Sequence, residues 1–250
     1  MNKDKFIVIC NGPSLAGFDF EQLKDYTSIG LNAAYRRFEE IGFSPTYYCS
    51  ADERVGFFHA DQYAKIADTN PNVEKFFLLP NACAKFCQSS INPSESQNKL
   101  VELLLYNDKS NIGLNKIQKT WVGPTPFSTG YIASLIGISL GFKELILLGA
   151  DCNYTEFIKE SKKSDTGEGH AGIKLEIEKT PESNPNYWFN DYQQKGDQYH
   201  VPNGKTVHMK GWLFLSEFAS YNNIKITNCS EISQIPFFEK ASFSEAVSQE

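Results

Sequence analysis

Short apolar runs separated by polar, turn-forming stretches recur along the chain. Phe6-Ile7-Val8-Ile9-Cys10 is apolar at every position, which predicts a strand buried on both faces, and it stops abruptly at Asn11-Gly12-Pro13-Ser14. A short helix over Phe20 to Tyr26 follows, then a strand at Ser28-Ile29-Gly30-Leu31-Asn32. The pattern from Ala33 to Ile41 is helical and ends at Gly42, a residue suited to a helix C-terminus. Thr46 to Ser50 reads as a third strand with Asp52 just beyond it, and Lys75 to Pro80 as a fourth. From Asn81 to Val122 the pattern favours neither period, and Leu100 to Tyr106 fits a strand or a helix equally. Ser128-Thr129-Gly130 predicts the cap of a helix running from about Tyr131 to Leu140. Glu144 to Asp151 is a strand with an acidic carboxyl end, and the chain finishes with a helix near Val207 to Tyr221, a strand at Ile224 to Asn228 and a polar tail.

Strands alternating with helices over this length imply an α/β fold with a mainly parallel sheet, whose ligands collect beyond the carboxyl ends of the strands. Between Thr155 and Lys205 the composition turns to Lys, Glu, Asp, Ser, Asn and Gly with few aliphatics. A surface lid or inserted subdomain is expected there, since long loops in compact domains are often functional. The expected division is residues 1–154 with 206–250 as one α/β domain and 155–205 as the inserted lid.

Composition narrows the function classes. The 250 residues are 41% hydrophobic, ample for a substantial core, and the net charge of -6 gives none of the basic footprint of a nucleic-acid binder. The 14% aromatic content suits stacking on sugars or bases and suits core packing equally. Six scattered cysteines fit reduced thiols in a cytosol, and the pair Cys83 and Cys87 lacks the spacing of a zinc site. The N-terminus runs into a strand without an apolar signal region, and no stretch reaches the length of a membrane span. A cytoplasmic protein, at most peripheral at the inner membrane, is expected.

The turn Asn11-Gly12-Pro13-Ser14 has its own physical logic. Gly12 allows backbone to approach a ligand, and Ser14 offers a hydroxyl at a helix start. It is neither the Gly-x-Gly-x-x-Gly fingerprint nor a P-loop, so from the residues alone it reads as plain structure or as a phosphate site. Asn32 and Asp52 stand at the ends of predicted parallel strands and are expected to face the same crevice as Asn11.

Taken in order, Ile9-Cys10-Asn11-Gly12-Pro13-Ser14-Leu15, Gly30-Leu31-Asn32, Ser128-Thr129-Gly130, Leu140 to Leu145 and Gly149-Ala150-Asp151 resemble the motifs of bacterial family 42 sialyltransferases. The set is also similar to their wider relatives, the motility accessory factors and the MptE-like pterin diphosphokinases. The resemblance implies a modified Rossmann-like fold of the glycosyltransferase A type. It also implies an inverting, metal-independent transfer of a nonulosonate from a CMP-sugar to an oligosaccharide or lipo-oligosaccharide acceptor, as in lipopolysaccharide or capsule biosynthesis. No cofactor is expected, the CMP-sugar being a substrate, and a homo-oligomer is compatible with this reading. By the motif match, Asn11, Gly12, Pro13 and Ser14 line the donor phosphate or ribose, Asn32 meets nucleotide and sugar, and Asp52 replaces a family Asn. Ser128, Thr129 and Gly130 then hold the sugar carboxylate or cytidine at a helix N-terminus, which favours anions, and Asp151 falls near the cytosine or ribose.

Such transfer needs a base for the acceptor hydroxyl and stabilisation of the departing phosphate. His200 occupies the segment after the lid where the relatives carry their functional histidine, with His208 second; His59 and His170 are assigned to the surface. Two departures stand out. Pro126 replaces an Arg that precedes the family's Thr-Ser-Gly-like motif, and Tyr154, one position displaced from a family phosphate-binding tyrosine, is the catalytic candidate for that role, with Tyr187, Tyr192 or Tyr199 as substitutes. Two other readings are weighed: a diphosphokinase using ATP and Mg²⁺ held by Asp52 and Asp151, and a non-catalytic nucleotide-binding module.

Overall fold

The structure, a computed structural model, describes residues 2–106, 112–116, 119–124, 128–155, 158–163, 173–201 and 205–248. Pro126 and His170 lie outside them. In chain order the strands and helices of the first half are β1 (Asn2–Ile9), β2 (Tyr26–Leu31), α1 (Tyr35–Phe38), β3 (Tyr47–Ser50), α2 (Glu53–Thr69), β4 (Lys75–Leu78), α3 (Pro80–Ser89), α4 (Pro93–Ser96) and β5 (Leu100–Tyr106). The second half adds β6 (Gly113–Asn115), β7 (Thr120–Pro124), α5 (Thr129–Ser139), β8 (Glu144–Leu148), β9 (Ser161–Lys163), β10 (Ile173–Ile177), β11 (Gln198–Val201), α6 (Lys205–Tyr221), β12 (Lys225–Asn228), β13 (Glu239–Lys240) and α7 (Phe243–Ser248).

Ten strands form one sheet in the order β13-β12-β8-β1-β2-β3-β4-β5-β7-β6, parallel except where β6 meets β7. The fold is thus α/β with a mainly parallel, Rossmann-like sheet, as the sequence implies. β1 is central, and its second half, Phe6 to Ile9, is apolar at every position because both its faces are covered there. Phe6 and Val8 join a core under α5 and α6, whereas Ile7 and Ile9 join the opposite core under α1, α2, α3 and α7. The chain steps outward from β1 through β2, β3, β4 and β5, then returns to β1's other side with β8. That reversal is a topological switch point, where the loops after β1 and β8 diverge and leave a crevice.

α5 is apolar all round because it is enclosed between the sheet and α6; nine of its eleven residues are buried. Residues 161–201 carry a separate antiparallel sheet in the order β11-β10-β9, whose Leu175 and Ile177 are buried despite the polar composition around them. No helix among the described residues is long and apolar enough to cross a membrane.

Several local expectations change. The helix expected from Ala33 to Ile41 is only a 3₁₀ turn followed by the four residues of α1. Two helices, α2 and α3, fill stretches in which the sequence pattern predicted none, and β5 resolves Leu100 to Tyr106 as strand. The tail is docked: Phe243 and Ala246 are buried, and the ammonium of Lys5, ion-paired to Glu144, donates to the Ala246 carbonyl at 2.9 Å.

Gly137 on α5 rests directly over the centre of the sheet. A methyl there would meet the Phe6 ring at 2.7 Å, and that ring is fully buried against Phe142, at 4.9 Å between centroids. Gly137→Ala gains about 1 kcal/mol of helix propensity, but overpacking a close-packed core costs about 1–3 kcal/mol. The expected outcome is net destabilisation, read as a lower urea midpoint with unchanged slope; an unchanged or higher midpoint would mean that the Phe6 ring has room to shift.

Candidate active-site crevice

The crevice is built first from backbone. The Gly12 amide donates to the Gly149 carbonyl at 2.9 Å, closing the turn after β1 against the end of β8. Gly149 has a left-handed φ of 66°, and a Cβ there would lie 2.9 Å from the Cys10 carbonyl oxygen. At Gly12 a Cβ would come within 2.6 Å of the Gly149 carbonyl. Both positions therefore require glycine, one for conformation and both for the close approach of two chain segments.

Asp151 locks this arrangement. It is 3% exposed, accepts from the Ser14 amide at 2.7 Å through one oxygen, and accepts from the Ser14 hydroxyl through the other. Behind it, Ser230 accepts from the Ala150 amide at 2.8 Å and Ser233 donates to the Ala150 carbonyl at 2.7 Å, while Gln234 donates to the Asp151 carbonyl at 2.8 Å. The loop after β8 is thereby fixed by groups beyond β12.

Asn11 projects from the same turn. Its side-chain amide donates to the Leu31 carbonyl at 3.1 Å and to the Tyr192 hydroxyl at 3.1 Å, while its Oδ1 is buried with no hydrogen-bond partner among the described residues. Next to Leu31, Asn32 adopts a left-handed φ of 50°, which Asn tolerates better than most residues. Its Oδ1 accepts from Ser50 at 2.9 Å and from Thr129 at 3.4 Å. Asn11, Asn32 and Thr129 thus meet where β1, β2 and α5 converge, with Ser50, which the sequence reading did not single out, as the bridge to β3.

The Ser128-Thr129-Gly130 motif divides its work. Ser128 caps α5 by accepting from the Tyr131 amide at 3.2 Å, and Thr129 faces Asn32. Gly130 faces inward: a Cβ would sit 2.9 Å from Cys10 Sγ and 3.1 Å from the Trp212 ring. Its role is close packing. Asp52 is the cap of α2, accepting from the amides of Arg54 and Val55 at 2.9 and 2.8 Å.

A second wall comes from residues 184–201. Arg36 forms a paired contact with Asp197, at 2.5 and 2.9 Å, and donates to the Tyr192 carbonyl at 2.7 Å. Burial works against the guanidinium charge, and the bonds to Asp197 more than offset it, so its pKa is raised. Tyr192 stacks on Tyr187 at 3.8 Å and accepts from Asn11 and from the Ala33 amide, while the Trp188 amide donates to the Asn11 carbonyl at 3.3 Å. Burial raises the Tyr187 phenol, and the nearby charges of Tyr199, Asp52 and Asp197 act in the same direction.

Tyr154 follows β8 and is 38% exposed, with its phenol near Cys152, Tyr187, Cys10 and Asp151. Burial lifts that phenol well above its ordinary value, reinforced by Cys152, Tyr187, Cys10 and Asp151. His208, on the first turns of α6, sets its ring edge-on to Tyr154 at 5.1 Å, and burial lowers it to about 4. His200 lies on β11, its backbone opposite Lys174 of β10. His59 corrects the expectation of a surface residue: it is 4% exposed, bonded through Nδ1 to the Tyr35 hydroxyl at 3.0 Å. It belongs to the apolar face of α2, which the sequence pattern had not revealed as a helix.

The pH dependence of stability follows. Burial, aided by the charge of Arg36, lowers His59 from 6.5 to about 4, so between these values the unfolded chain binds a proton that the folded chain refuses. Stability therefore falls as pH drops through that window, on the order of 3 kcal/mol for a fully buried ring. The urea midpoint should decline from pH 6.5 to 4, and His59→Gln should flatten the decline; an unaltered profile would show that the ring is protonated in place. Arg36→Ala should cost about 3–5 kcal/mol by stranding the buried Asp197 charge, whereas Arg36→Ala with Asp197→Ala should recover part of that loss in the same titration.

Against known proteins, no protein-family model matches the chain and no curated protein matches it. Among solved structures, the chain is similar to the MAf glycosyltransferase of Magnetospirillum magneticum AMB-1, with a TM-score of 0.50 and 15% identity over 99% of this chain and 34% of that one. It spans about a third of that protein. The sialyltransferase CstII of Campylobacter jejuni, solved with CMP-3FNeuAc, matches with a TM-score of 0.48 and 16% identity over 95% of this chain and 86% of that one. At such identities what the chain shares with the MAf glycosyltransferase is its fold.

Proposed function

We propose that the chain is an inverting glycosyltransferase of the sialyltransferase type, moving an acidic nonulosonate from a CMP-sugar to a glycan acceptor. One observation carries the reading. The Asn11 carboxamide is held by Leu31 and Tyr192, with its Oδ1 buried and unpartnered among the described residues, in a crevice that also gathers Asn32 and Thr129. An unpartnered buried acceptor costs about 1–3 kcal/mol, and an amine or ribose hydroxyl of a nucleotide would relieve it. The first turn of α5 supplies backbone amides suited to a carboxylate or phosphate. The ordered motif resemblance adds the donor class, and the MAf glycosyltransferase adds a named transferase on the same fold.

In the proposed step the acceptor oxygen attacks the anomeric carbon from the face opposite CMP. The bond from that carbon to the phosphate oxygen breaks, CMP departs with the electron pair, and a histidine takes the acceptor proton. His200 is assigned as base from its position near the end of the inserted segment; the contact of His208 with Tyr154 favours His208 as the second choice. Tyr154 or Tyr187 would donate to the leaving phosphate, a phenol being protonated at neutral pH. The reaction fits a cytoplasmic enzyme, at most peripheral at the inner membrane, acting in lipopolysaccharide or capsule assembly. The diphosphokinase alternative is less well supported, because Asp52 and Asp151 are engaged in capping α2 and in holding Ser14.

CMP should raise the melting temperature, and CMP-N-acetylneuraminate without acceptor should release CMP slowly in the presence of EDTA. Asn11→Ala should abolish both effects. His200→Ala should lower acceptor-dependent transfer by at least about a hundredfold while keeping the CMP shift; retained transfer would move the base to His208. Neither a CMP shift nor CMP release in the unaltered protein would sink the reading.

A further inference from the structure

Beside the crevice a cavity of about 540 Å³ opens among α1, α2, α3 and the loop before β11, a size within the range of small-molecule sites. Tyr192 links the two spaces: Arg36, which lines the cavity, donates to the Tyr192 backbone carbonyl, and the Tyr192 hydroxyl accepts from Asn11 on the crevice side.

The charges of the cavity cancel. Arg36 is matched by Asp197, and Lys85 pairs with Asp61 at 2.9 Å. Neither an anion nor a cation would find an unmatched partner here. What the lining offers instead is neutral hydrogen bonding from Gln62 and Gln194, each amide carrying both donor and acceptor atoms.

His59 also lines this space. It is 4% exposed, and its Nδ1 is engaged by the Tyr35 hydroxyl, which leaves Nε2 as its second hydrogen-bonding atom. A neutral imidazole presents a donor or an acceptor at Nε2 according to its tautomer, and a hydroxyl group can answer either. Phe58 completes the set: it is 37% exposed, edge-on to His59 at 5.2 Å, and it lines the cavity. A ring for stacking, amides, a neutral imidazole and no net charge together suit a polyhydroxylated, uncharged ligand better than an ionic or purely apolar one.

We propose that this cavity binds a neutral saccharide unit, and that it serves as a subsite for the acceptor glycan next to the crevice. The acceptor role rests on the glycosyltransferase reading; the saccharide site does not. The link from Arg36 would let an occupied subsite bear on Tyr192, and through it on Asn11, without sharing the donor's contacts.

Saturation-transfer NMR on the full chain with lactose, maltose and N,N′-diacetylchitobiose tests the site, alongside the thermal shift with CMP. At least one of these sugars should receive saturation. Phe58→Ala and Gln62→Ala, both at exposed positions, should each weaken that sugar about tenfold and leave the CMP shift unchanged. The proposal is overturned if none of the three sugars binds the unaltered protein, or if binding survives both substitutions. Sugar binding without a CMP shift would remove the transferase reading and leave the site standing; a CMP shift without sugar binding would do the reverse.

Discussion

A single buried carboxylate holds the two sides of the switch point together. Asp151 receives the amide and the hydroxyl of Ser14 across 137 positions of sequence, and hydrogen bonds to a charged acceptor contribute about 1.5–3 kcal/mol each. The turn after β1 cannot drift from the end of β8 without stranding that charge. Gly12 and Gly149 allow the approach, and Ser230 and Ser233 hold the far side of the loop. Every polar group that faces the crevice from β1 inherits its position from this contact.

The opposite wall is held by a different device. The segment that carries Trp188 and Tyr192 has little aliphatic surface with which to anchor itself, and it is fixed instead by the Arg36–Asp197 pair and by aromatic packing of Trp188 on Phe20 and Phe38. A buried ion pair of this kind specifies one arrangement more than it stabilises. The crevice therefore has a rigid side made by the sheet and a side registered by a few directional bonds.

The central strands were legible because a strand buried on both faces has to be apolar at each position, as Phe6 to Ile9 and Leu145 to Leu148 are. α2 was not legible: its inward face uses Gly56, His59, Ala60, Tyr63, Ala64 and Ala67, small or polar residues that do not register as an apolar stripe. That omission misplaced His59 and left the capping role of Asp52 unseen. Asn11, Asn32 and Thr129 lie near one another because each stands at a strand end or helix start on one edge of the sheet. Arg36 and Asp197 gave no local signal, because their partnership spans 161 positions and depends wholly on tertiary placement.

The order of the sheet has a consequence for the birth of the protein. β1 is synthesised before its partners, and one of its two neighbours, β8, emerges only after β2 to β7, with β12 later still. Until then the apolar half of β1, Phe6 to Ile9, has one edge unpaired, which invites association with other chains. Pairing so distant in sequence is slow to form. A ribosome releasing this chain must therefore shelter its centre longest, and the rate at which the second half is delivered, more than the strength of any one contact, would govern how much of it reaches the native state.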